Sequence, residues 1–164
     1  MVGEDCIFDG YVFVTPEYNH ATSGALKNAI DFLYAEWVNK SAGFIGYGGA
    51  SGARAVENLR LIMGELQVAT VRAQVGLSMF TDFENFSVFK PAPMQEKYVH
   101  VMLDQVIAWG GALKALREKQ AEHDVNPGLD SETIEPSDDN HNIRRSYRTN
   151  RTRSLSWLNV LARD

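Results

Sequence analysis

Residues 11–37, YVFVTPEYNHATSGALKNAIDFLYAEW, constrain the fold more than any other stretch. Tyr11, Val12, Phe13 and Val14 form a β-branched and aromatic run without polar alternation, which predicts a strand buried on both faces. Thr15 and Pro16 end it, because Pro16 has no N–H for a ladder and keeps Thr15 extended. Glu17, Tyr18, Asn19 and His20 then leave as a loop, and a helix opens at Ser23 or Gly24. Leu26, Ile30, Leu33 and Trp37 recur on one helical face with Ala29 beside them, while Lys27, Asp31 and Glu36 fall away from it. Strand, loop and helix in this order make half of a parallel βαβ unit.

The pattern returns at 42–47, where Ala42, Gly43, Phe44, Ile45, Gly46 and Tyr47 have strand character. Glycines follow in GYGGASGARA, and Val56, Leu59, Met63 and Leu66, flanked by Ile62, take up helical spacing. Residues 69–75 predict a third strand: Val71, Ala73 and Val75 alternate with Thr70, Arg72 and Gln74, as at a sheet edge with one covered face. The order is βα, βα, β, an α/β fold with a parallel sheet. Residues 78–93 carry Phe80, Phe83, Phe86 and Phe89, expected to pack a long loop down onto the body. A last helix is expected over 94–119, burying Val99, Leu103, Val106, Trp109, Leu113 and Leu116 and weakened by about 1 kcal/mol at each of Gly110 and Gly111.

Composition bounds the class. With 164 residues, 45% of them hydrophobic, the chain has room for one domain with a real core, expected over 1–118. A net charge of -5 argues against nucleic acid as partner, and no run approaches the length of a membrane span. Cys6 is the single cysteine and suits a small buried hydrophobe in a reducing, cytoplasmic compartment. Residues 119–164 read as a disordered tail, acidic from Glu122 to Asp139 and then basic through Arg144, Arg145, Arg148, Arg151 and Arg153. Arg151 and Arg153 stand three residues before Ser154 and Ser156, a kinase-compatible spacing, although a solvated tail is the plainer reading.

In an open parallel sheet, ligands bind beyond the carboxyl ends of the strands. Two loops occupy such places, PEYNHATSG and GYGGASGAR. Glycines in the second permit close backbone approach to a flat ring or a phosphate. Neither loop is a phosphate loop by pattern, since Gly46, Gly48 and Ser51 break G-x-G-x-x-G and no Gly-Lys-Ser/Thr follows. Glu17 has the chemistry of a general base, with tying down its own loop as the plain alternative; His20 and His100 lack the context of a catalytic or ligating histidine, and no metal-ligand spacing emerges.

The run TPEYNHATSGALKNAIDFL (15–33), the run GYGGASGARAVENLR (46–60) and FENF (83–86) resemble the NADPH-dependent FMN reductase family, flavodoxin-like proteins that include quinone and azo-dye reductases. The resemblance covers about residues 6–117. It implies FMN and NADPH as cofactors, a small-molecule electron acceptor and a homo-oligomer that uses the helix at 24–37. It places Pro16, Glu17, Tyr18 and Asn19, and also Gly48, Gly49, Ala50 and Ser51, against the flavin, with Tyr18 flanking the ring and no catalytic side chain required. Against the family pattern, the chain starts just before the third strand, so a fold of about three strands without the phosphate-holding portion is expected. Tyr11 to Thr15 would then form an apolar sheet edge. The alternative function is a non-catalytic fragment or dimerisation partner that does not retain FMN.

Overall fold

The computed structural model of the protein describes residues 8–125. Cys6 and the acidic and arginine-rich segments beyond residue 125 lie outside them. Three parallel strands form the sheet: β1 (Gly10–Pro16), β2 (Lys40–Gly48) and β3 (Val68–Ser78), in the order β1-β2-β3. Helix α1 (Gly24–Phe32) and a 3-10 turn (Ala35–Trp37) connect the first pair, and α2 (Ala53–Glu65) connects the second. A hairpin of β4 (Phe83–Glu84) and β5 (Val88–Phe89) precedes the long helix α3 (Met94–Val125). The α/β class and the parallel sheet agree with the reading of the sequence, and α3 continues past residue 119, where it was expected to stop.

The sheet has a different core on each face. Toward α1 and α2, Phe13, Phe44, Ile30, Trp37, Val56, Leu59 and Met63 pack together. Toward α3, Val71, Val75, Leu77, Met102 and Val106 do so. The α3 face is built for close approach: Ser41 Oγ donates to the Val106 carbonyl at 2.8 Å, and a Cβ on Gly43 would stand 2.9 Å from Met102 and Val106. Beyond Ala42, β3 carries extra residues against β2, so the register shifts there. Arg60 satisfies this bulge by donating to the Val71 carbonyl at 2.8 Å, and Gln105 Oε1 accepts from the Ala73 N–H at 3.0 Å. Burial pulls the Arg60 pKa below its usual value, while Glu57 works against that shift.

Four expectations are corrected. The β1 strand is not buried on both faces: Val12 and Val14 are exposed, because α3 lies over β2 and β3 and leaves the β1 flank uncovered. The first helix ends at Phe32 instead of running to Trp37. Leu33 turns extended, and Trp37 Nε1 donates to the Ile30 carbonyl at 3.0 Å from a separate 3-10 turn. In α3, Trp109 and Leu116 are exposed, whereas Met102 is fully buried. The line closest to the sheet passes through Met102, Val106 and Gly110, and Trp109 lies beside it.

The phenylalanine segment is a hairpin rather than a packed loop. Phe83 rests against Tyr47 and Phe89, but Phe80, Phe86 and Phe89 are exposed. The segment is anchored by the buried Asp82 carboxylate, which accepts from the N–H groups of Ser78 (2.9 Å) and Ala92 (3.0 Å), from Thr81 Oγ1 and from Gln95 Nε2. A polar hub therefore does the holding that was expected of the aromatic rings.

Candidate functional site

Parallel pairing sets the carboxyl ends of β1 and β2 side by side, with Thr15 opposite Gly46 and Pro16 opposite Tyr47. The loops that follow must therefore start together. The Glu17 N–H donates to the Tyr47 carbonyl at 3.0 Å. Its Cβ lies 3.4 Å from where a Cβ on Gly48 would stand. The hairpin segment joins at the same point, since the Met79 N–H donates to the Gly48 carbonyl at 3.1 Å.

Each loop has its own local cause. In the first, the N–H and carbonyl of Tyr18 pair with those of Ala21, so Asn19 and His20 form a tight turn with φ of 49° and 68°. Asparagine is among the residues that tolerate this left-handed region. A buried hydroxyl pair, Thr15 and Thr22 at 2.6 Å, closes the loop beneath, and Ser23 caps α1 by accepting from the Leu26 N–H. In the second loop, Gly52 (φ 66°) approaches Gly46 so closely that a Cβ would stand 2.4 Å from the Tyr47 nitrogen. Only glycine fits there. A Cβ on Gly49, by contrast, would meet nothing within 4 Å.

Of the residues proposed from sequence, Pro16, Glu17, Tyr18 and Asn19 stand on the first loop and Gly48, Gly49, Ala50 and Ser51 on the second, with Glu17 and Gly48 in contact. Tyr18 is 63% exposed, one residue beyond Glu17, and Gly49 and Ala50 are exposed just beyond Gly48. Among the described residues, the N–H groups of Asn19, Gly49 and Ala50 have no protein acceptor. Glu17 differs from its neighbours, because its side chain is only 5% exposed. Its Oε2 accepts from the Arg54 N–H at 3.0 Å in the first turn of α2, and its Oε1 accepts from Arg54 Nε while pairing with Nη2. Burial works to raise the Glu17 pKa, but the hydrogen bonds and charge of Arg54 outweigh it and hold the carboxyl below its usual range.

Arg54 is a site residue absent from those proposed from sequence. Its Nη1 lies 2.7 Å from His20 Nε2. Guanidinium cannot accept, so in a hydrogen bond between them His20 Nε2 is the acceptor. One signal was available in the sequence: an acid just after the first strand and a base just after the next glycine loop meet at one end of a parallel sheet.

Chemically, these loops present an aromatic face, backbone donors and open space above Gly49. Charge is largely cancelled, because Glu17 occupies the positive end of α2 and neutralises Arg54. A flat ring with acceptor atoms on its edge fits this arrangement. A phosphate does not, among the described residues, because the helix N-terminus and the guanidinium are both engaged. Nor does any group of three or more His, Cys, Asp or Glu stand ready for a metal ion among those residues, and none of their helices is long and apolar enough to cross a membrane.

Comparison with known proteins bears on the same region. The family described as NADPH-dependent FMN reductase matches residues 7–82, which hold both loops. An NAD(P)H-dependent FMN reductase, ntnL, of Nectria sp is 40% identical over 79 residues, covering 46% of this chain and 39% of that protein. An NAD(P)H-dependent FMN reductase of Schizosaccharomyces pombe is 37% identical over 84 residues, covering 51% of this chain and 42% of that protein. The chain thus spans about two-fifths of the length of these curated relatives. Among solved structures, FerB, a flavoenzyme NAD(P)H:(acceptor) oxidoreductase from Paracoccus denitrificans, is similar at 22% identity, with a TM-score of 0.48 over 68% of this chain and 64% of that one. The fold class rests on the sheet itself.

Proposed function

We propose that this chain, whose residues 7–82 match the NADPH-dependent FMN reductase family, serves hydride transfer from NADPH to FMN and on to a small-molecule acceptor such as a quinone, an azo compound or free flavin. The observation that supports this reading most is that the loop carrying the exposed Tyr18 and the loop carrying the open, donor-rich backbone at Gly49 and Ala50 start side by side, at Glu17 and Gly48. When bound, FMN supplies the hydride chemistry, so no protein nucleophile is needed.

The chain's own work is to hold and tune. Tyr18 offers a face for the ring and excludes water from it. The N–H groups of Asn19, Gly49 and Ala50 offer hydrogen bonds to ring-edge acceptors, which strengthen as those acceptors gain negative charge. Pro16 ends β1 where the turn must begin, and Ser51 (φ 54°) turns the second loop toward α2. Gly48 brings that loop against Glu17. A cytoplasmic setting and a homo-oligomer complete the proposal.

A second reading, a non-catalytic partner that does not retain FMN, draws on the absence of a phosphate-holding group among the described residues. One experiment tests the first reading: purify the full chain, record its visible spectrum, and follow NADPH oxidation with FMN and a quinone. Bound flavin and quinone-dependent oxidation are expected. A colourless protein that ignores added FMN would reject the enzyme reading and favour the partner.

A further inference from the structure

Asn19 and His20 both lie in the left-handed region, which is unfavourable for residues with a Cβ, so the turn they form is held from outside as well as by its own Tyr18–Ala21 pair. The outside hold comes from one guanidinium. Arg54 grips Glu17, immediately before the turn, and His20, inside it. Its own backbone is fixed in the first turn of α2, whose Ala55, Val56 and Leu59 are fully buried, and its N–H adds a further bond to Glu17. Tyr18 sits between the two gripped residues with its ring exposed.

We propose that Arg54 is a positioning residue, which sets the Tyr18 ring by clamping Glu17 and His20 onto the start of α2. Two consequences follow for the site. The Glu17 carboxylate is committed to Arg54 and the helix end, so it neither faces a ligand nor serves as a general base. The α2 N-terminus is filled by that carboxylate, so this end of the sheet receives a ring and not an anion. The clamp stands on geometry alone; its effect on a ligand rests on the flavin reading above.

The test uses the full chain and has two arms. In the absence of ligand, amide hydrogen exchange at Tyr18 and Ala21 is expected to quicken about tenfold in Arg54→Ala, with Leu59 and Met63 in α2 unchanged. Arg54→Lys keeps the charge without the fork and should fall between Arg54→Ala and wild type. The second arm titrates lumiflavin, a flavin ring without phosphate, and follows its fluorescence. Arg54→Ala should weaken binding about tenfold. Tyr18→Ala should weaken it too, and the double variant should bind no worse than Tyr18→Ala, as expected when Arg54 acts through Tyr18. Unchanged exchange at Tyr18 and Ala21, or additive losses in the double variant, would overturn the proposal. Should wild-type protein fail to bind lumiflavin or FMN, the flavin reading falls, and the exchange arm still decides the clamp.

Discussion

Gly110 and Gly111 stand side by side in α3 and answer to opposite constraints. A Cβ on Gly110 would stand 3.0 Å from both the Asp9 carbonyl and Ser41 Oγ. Neither neighbour moves freely, because Asp9 O accepts from the Ser41 N–H and Ser41 Oγ donates to Val106. A Cβ on Gly111 would meet nothing. Gly111→Ala should therefore stabilise the fold by about 1 kcal/mol through helix propensity. Gly110→Ala should lose that gain and destabilise by about 1–3 kcal/mol through overpacking. Paired urea melts would check the opposite signs. The sequence shows two helix-weakening glycines, and only the close passage of α3 over Asp9 and over Ser41 at the start of β2 tells them apart. Asp82 carries a second residue-level expectation. Burial tends to raise its pKa, but the N–H groups of Ala92 and Ser78, with Gln95 and Thr81, hold it below the usual value. A lowered folded-state pKa means that its stabilisation is complete above the unfolded value of about 3.9 and is lost as pH falls through the folded one. Asp82→Asn, which turns an acceptor toward a donor, should cost on the order of 2 kcal/mol at pH 7. The variant should also lose less stability than wild type when pH falls below about 4, as measured by melts across pH.

At the level of elements, apolar runs made the three strands and α2 legible, since Phe44, Val56, Leu59, Met63, Val71 and Val75 are all buried as their spacing implies. Breaks that preserve a face were not legible. Trp37 stays on the buried side of α1 although the helix has ended, because the 3-10 turn swings its ring back over Tyr11 and Phe13. Position in the sheet was also hidden, as Val12 and Val14 read like core residues and face outward on β1. β1 is an edge among the described residues, with one paired side and an uncovered apolar face. Such an edge favours association. If the proposed homo-oligomer forms through this edge, Val14→Lys should weaken the self-association seen by sedimentation while changing stability by no more than about 0.5 kcal/mol, and a wild type that sediments as a monomer would reject the oligomer. Association that survives the substitution unchanged would put the interface elsewhere, with α1 the next candidate.

Across the whole molecule, the candidate site was half written in local sequence. PEYN and the glycine loop could be read as neighbours because parallel strands end together. The Glu17–Arg54–His20 clamp joins residues 34 and 37 positions apart and leaves no local pattern. On the proposed function, the folded chain offers a flavin ring a place whose charges are already spent on one another. The most direct measurement compares lumiflavin with FMN in parallel fluorescence titrations of the full chain. Both should bind, with dissociation constants within about threefold, which is less than a single charge-assisted hydrogen bond would contribute. Failure of both to bind, or FMN binding more than about a hundredfold tighter than lumiflavin, would contradict a site built around the ring alone.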